Sequence, residues 1–210
     1  MGSTGPIILV VGVVVTVLFL GILIFVNRYV KVEPDEVLIV SGRKKKLGNG
    51  QQVGYRIARG GATFVWPIFE TSKAMSLRLM TLDLHSSAYT SQGVKVTLDG
   101  IAQVKIDSSK EAIAIAAEQF LSLKEDEIRC IAAQTLEGYI CSITGNLTVE
   151  QIIQNRDAFA QKVREFAADD FANMGLKIIS FTIKEISDKN GYLENLEKAQ
   201  IAKVKRDVAI

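Results

Sequence analysis

The sequence predicts an α+β fold led by an apolar membrane segment, and a few observations carry that prediction. Residues 6–26 (PIILVVGVVVTVLFLGILIFV) hold 17 apolar side chains in 21, and every Lys, Arg, Asp and Glu lies after Val26. Residues 33–106 alternate apolar and polar with period two, the pattern of half-buried strands. From Ser108 the period turns helical, and it returns to strand only at Leu176. The rest of the 210 residues is close to an average soluble chain in composition, enough for one or two domains. No second run reaches the ~18 apolar residues of a membrane span, so a polytopic transporter is excluded. Apolar content excludes disorder, and a net charge of +2 disfavours a nucleic-acid partner. Two Cys make no disulfide framework.

At ~1.5 Å per residue the apolar run makes a helix about as long as the hydrocarbon core is thick. In lipid the backbone must pair with itself, so its Val and Ile content does not prevent a helix. A cleaved signal peptide would need a basic leader and a small-residue cleavage site. Residues 1–5 (MGSTG) hold no Lys or Arg, and Asn27-Arg28-Tyr29 is no cleavage signal, so a retained anchor is expected. Pro6 stands where N-myristoylation needs Ser or Thr. Arg28, Lys31, Arg43, Lys44, Lys45 and Lys46 crowd the C-terminal flank, and the positive-inside rule then places residues 27–210 in the cytoplasm. A straight span and a re-entrant hairpin between Gly12 and Gly21 both satisfy that asymmetry.

Among the expected strands, Val37–Val40 is bounded by Glu33-Pro34-Asp35 and Ser41-Gly42, and Phe64–Phe69 follows a Gly60-Gly61 turn. Gly48, Asn49, Gly50 and Gly54 mark the loop of a long hairpin between them. Met75, Leu77 and Leu79 alternate with polar neighbours, as do Val94, Val96 and Leu98. Ser109 caps a predicted helix to Leu121, with Ile113, Ala116, Ala117 and Phe120 inward. Ser122 with Glu125 reads as a capping box before Ile128, Ile131, Leu136, Tyr139 and Ile143, and Gly145 stops that helix. Thr148 with Gln151 opens one more helix, with Ile152, Phe159, Val163, Phe166 and Met174 as its stripe and Gly175 in the left-handed terminal position. Leu176–Ile186 is a strand and Asp188–Gly191 a turn. Tyr192–Ile210 is a charged helix with a sparse stripe of Leu196, Ile201, Val204 and Val208, and it is expected to run on into a coiled coil.

Chemistry has little to work with. The only His, His85, falls opposite the leucines of Leu82-Asp83-Leu84-His85 and reads as a partly exposed strand residue, because a general base needs a nucleophile and an orienting carboxylate within hydrogen-bond reach, and the adjacency of Ser86 and Ser87 in sequence does not supply that geometry. Cys130 and Cys141 share a helix face about 16 Å apart, too far for a disulfide, and read as buried small residues. No CxxC pair, HExxH, P-loop or GxSxG occurs, so no catalytic residue, metal or cofactor is expected. Two features suit a membrane surface. Arg43-Lys44-Lys45-Lys46 is either a head-group contact of about 1 kcal/mol per side chain or a solvated loop. Phe64, Trp66 and Phe69, around Pro67, either dip into the interface or belong to a plain core strand. Arg28, Tyr29 and Lys31 sit where snorkelling and aromatic-belt residues sit.

Taken in order, several segments resemble the flotillin branch of the SPFH (Band 7, stomatin–prohibitin–flotillin) superfamily. They include Pro34–Gly42, Arg59–Phe69, Thr90–Val94, Ala116–Leu121, Leu147–Ile152, Met174–Leu176, Ser180–Lys184 and Asp188–Leu193. Ala62, Tyr139 and Asp99-Gly100 depart from the pattern, and none of them removes a catalytic group, since the family has no accepted one. The resemblance implies an anchor over 1–26, an SPFH1 domain over 27–88, an SPFH2 domain over 89–188 and the start of a coiled-coil helix over 189–210. It implies a non-enzymatic scaffold in the cell membrane, forming large homo-oligomeric rings or cages that organise lipid microdomains. Its expected partners are further copies of itself, membrane lipids and membrane client proteins. The alternative it leaves is an accessory subunit of a membrane protease.

Overall fold

The structure is a computed structural model that describes residues 12–16, 18–20, 23, 29–46, 52–66, 69–188, 191, 192, 194, 195, 198 and 201. Most of the predicted anchor therefore lies outside the described residues. The described positions within it, Gly12–Thr16, Leu18–Leu20 and Leu23, are helical and exposed. Among the described residues no helix is long and apolar enough to cross a membrane. The chain divides into two compact units, Met1–Ser76 and Leu77–Ile210.

The first unit is an antiparallel sheet in the order β2-β1-β3, from β1 (Tyr29–Lys46), β2 (Gln52–Phe64) and β3 (Thr71–Ser76). Val37–Val40 lies on the central strand and is buried on both faces, as a continuous apolar run requires. The β1–β2 ribbon does not run straight. Its register jumps between Val32 and Val37, where Gly60 and Gly61 take φ of 63° and 83°. Two successive left-handed residues are a conformation that Gly adopts at no steric cost. The ribbon folds back there, so Val32 joins Leu38, Val40 and Val65 in one small core with Ala58 against it. Gly60-Gly61 is thus a kink inside β2, where the sequence predicts a turn before a strand. The expected strand Phe64–Phe69 is instead the end of β2 followed by non-strand backbone, its positions 67 and 68 lying outside the described residues. The backbone of Arg43–Lys46 and Gly54 is strand, where a loop is expected; the side chains of 43–46 lie outside the described part.

The second unit is a sheet in the order β4-β5-β6, from β4 (Met80–Tyr89), β5 (Lys95–Ile106) and β6 (Leu176–Asp188), with all pairs antiparallel. Met80, Leu82, Leu84 and Ala88 meet Val96, Leu98, Ala102, Val104 and Ile106 on one buried face. The period-two phase changes on the way: Leu79 is exposed and Met80 buried, because β3 ends at Ser76 and β4 starts afresh at Met80. The second compact unit starts at Leu77, and β4 within it is paired along its whole length with β5.

The helices are α1 (Lys110–Phe120), α2 (Glu125–Thr144), α3 (Val149–Gln154) and α4 (Arg156–Asn173). The Ser109 hydroxyl accepts the Ala112 N–H at 3.2 Å, and Ile113, Ala116, Ala117 and Phe120 are buried as predicted. The box before α2 is shifted: Lys124 is the cap and its N–H reaches Glu127 at 2.7 Å, so Ser122 and Glu125 do not form it. Ala132 and Ile140 take the buried positions expected of Ile131 and Tyr139. Thr148 and Gln151 form the reciprocal box at 3.0 and 3.2 Å. The helix they open breaks at Asn155 (φ −126°, ψ 52°), and the stripe beyond the break is Phe159, Val163, Ala167 and Phe171, with Phe166 exposed and Met174 half-buried. Gly175 takes φ 73°, and β6 starts with the next residue.

Candidate membrane interface

Beyond the apolar run, Tyr29 opens β1 and pairs with Phe64, and Lys31 pairs with Ala62. At the far side of the bend Ser41 pairs with Thr71, and Gly42 lies so close to Phe69 that a Cβ would run into the Phe69 carbonyl. Phe64 is thus the partner of Tyr29 at the strand end, while Phe69 lies against Gly42, just before Arg43. Trp66 is 53% exposed and Phe69 72%, whereas Phe64 is half-buried with its ring edge-on to Trp66 at 5.6 Å. Large aromatic side chains left in the open are uncommon on a soluble surface. Arg28 lies outside the described residues, and Lys31 is exposed.

An ion pair that sequence reasoning missed lies beside Phe64 and Trp66. Arg56, on β2, donates through Nη2 to the Phe64 carbonyl at 2.5 Å and through Nη1 to Thr63 Oγ1 at 3.1 Å. Its Nη2 also meets Glu70 Oε2 at 3.2 Å, and that same carboxylate oxygen accepts the Trp66 N–H at 3.1 Å. The Glu70 N–H returns to the Trp66 carbonyl at 3.2 Å. Glu70's side chain is only 7% exposed and faces the Arg56 guanidinium.

The chemistry-bearing residues are arranged otherwise. His85 is 73% exposed on the open face of β4, its Nδ1 against Asp99 directly across the ladder. Its backbone N–H donates to Glu137 of α2 at 3.2 Å. Cys130 and Cys141 are free and exposed, against the expectation of burial, because the inward face of α2 is taken by Ile128, Ala132, Leu136 and Ile140. Ser86 is buried beneath the sheet with its hydroxyl 3.1 Å from Cys141 Sγ. Among the described residues no group of His, Cys, Asp and Glu could hold a metal ion.

Residues 30–210 match the family described as SPFH domain / Band 7 family. The chain belongs to that family. Within it the similarity lies with flotillins. The chain is 46% identical to the flotillin-like protein FloT of Bacillus subtilis (strain 168) over 216 aligned residues, 99% of this chain and 42% of that protein. It is 43% identical to flotillin-1 of Drosophila melanogaster, covering 87% of this chain and 42% of the relative. To flotillin-2 of Homo sapiens it is 45% identical, over 85% of this chain and 41% of the relative. The chain thus spans about two fifths of the length of these relatives. In this Band 7 chain Asp99 pairs with His85, Phe181 lies over Gly100, and Tyr139 bonds Asp170.

Proposed function

We propose that this chain is the membrane-proximal part of a non-enzymatic, flotillin-like scaffold that assembles laterally and organises membrane microdomains. Residues 6–26 are its single-pass anchor, residues 27–210 are cytoplasmic, and the first unit rests on the lipid surface. The observation that carries this reading is a pair of exposed aromatic side chains. Trp66, two residues beyond the partner of Tyr29, and Phe69, against Gly42, both stand open to solvent. Aromatic residues at that depth suit the head-group region, and Lys31 and the Arg43–Lys46 run add attraction to anionic lipid. The exposed Val13, Val14, Val15, Leu18, Phe19, Leu20 and Leu23 support the anchor, since such a surface is stable only in lipid. Lateral assembly rests on the flotillin resemblance: weak contacts between copies held in one plane add up through effective concentration.

Deletion of residues 1–26 is expected to move the protein from the membrane fraction to the soluble fraction. Tight retention would transfer the anchoring role to the folded body. For assembly, particles extracted with native lipid are expected to be large and multi-copy, and monodisperse monomers would overturn the scaffold.

A further inference from the structure

Resting on that membrane-contact reading, we infer that Arg56 and Glu70 are positioning residues that hold Trp66 where it meets lipid. Among the described residues between Phe64 and Thr71, none pairs with a strand. Left to itself, an apolar segment of this kind collapses its aromatic rings onto the nearest apolar surface, which here is the small core of Val32, Leu38, Val40 and Val65. The guanidinium prevents that by fixing the entry of the loop at Thr63 and Phe64, and through Glu70 it fixes the exit. Glu70 then ties the middle, through the Trp66 N–H. Arg is the side chain for this task, because its planar fork reaches several acceptors at once and a Lys ammonium does not.

Trp66 is the only Trp in the chain, so its emission reports on this loop alone. The experiment uses the full chain in phosphatidylcholine–phosphatidylglycerol vesicles with bromine on the upper acyl chain, together with acrylamide as the aqueous quencher. In the unaltered protein bromine is expected to quench Trp66 strongly and acrylamide weakly. Glu70→Ala is expected to reduce bromine quenching about twofold and to raise acrylamide quenching by a similar factor, with far-UV circular dichroism unchanged, as a loosened supporting shell predicts. Glu70→Gln, which keeps an acceptor for the Trp66 N–H but loses the ion pair, is expected to fall between them. It carries the test if Glu70→Ala does not fold. Wild-type quenching in both variants would overturn the clamp. Absence of bromine quenching in the unaltered protein, with acrylamide access still rising in Glu70→Ala, would overturn the membrane contact and leave the clamp standing.

Discussion

Gly175 shows how much one position can decide. It sits between α4 and β6 with φ 73°, its carbonyl accepts the Asp107 N–H at 3.0 Å, and a Cβ there would strike the Ala112 carbonyl and lie 2.8 Å from the Ala116 N. Both the left-handed conformation and the backbone contact with α1 exclude a side chain. Gly175→Ala is therefore expected to destabilise the second unit by about 2–4 kcal/mol, read as a lowered chemical-denaturation midpoint at constant slope. This position was legible in the sequence, because a Gly after a helical stripe and before a strand has few other uses. Arg56 and Glu70 were not, since nothing local signals a pairing across a ribbon that folds back on itself.

At the scale of elements, Tyr139 ties α2 to α4 by donating its hydroxyl to Asp170 at 2.5 Å. That hydrogen bond, with smaller contributions from desolvation and from Asp170 and Asp169, raises the tyrosine above its ordinary value of 10.0. A raised folded value means stability fully present below the unfolded value and lost as pH climbs through the folded one. Tyr139→Phe is expected to lower Tm slightly at neutral pH. It should also flatten the decline of Tm above about pH 10, measured by thermal melts across that range. An unchanged alkaline limb would mean that the bond is not maintained in solution. The element boundaries divide by the same logic as the single residues. Alternation in β4 and β5, the Ser109 cap and the Thr148–Gln151 box are local signals and were readable. The face of α2 was misread by one residue because apolar side chains stand in adjacent pairs, Ile131-Ala132 and Tyr139-Ile140, and only packing against β4 chooses between them. The break at Asn155 carries no Pro or Gly to announce it.

For the whole molecule, the basic flank after Val26 sets a sidedness that exposed thiols can report. Cys130 and Cys141 are the chain's only cysteines and both are exposed. A membrane-impermeant maleimide is expected to leave the protein unlabelled in intact cells and to label it in inside-out vesicles, following the positive-inside asymmetry. Labelling of intact cells would reverse the proposed orientation. The sheet of the second unit also sets an order of events during synthesis. Its middle strand, β5, pairs with β6, yet the whole helical block of residues 107–175 is made between them. A ribosome that has just released β5 therefore leaves a β4–β5 hairpin with an open edge, with nothing yet paired to its free side. Closure waits for residue 188, so that bare strand edge persists for as long as the helical block takes to emerge.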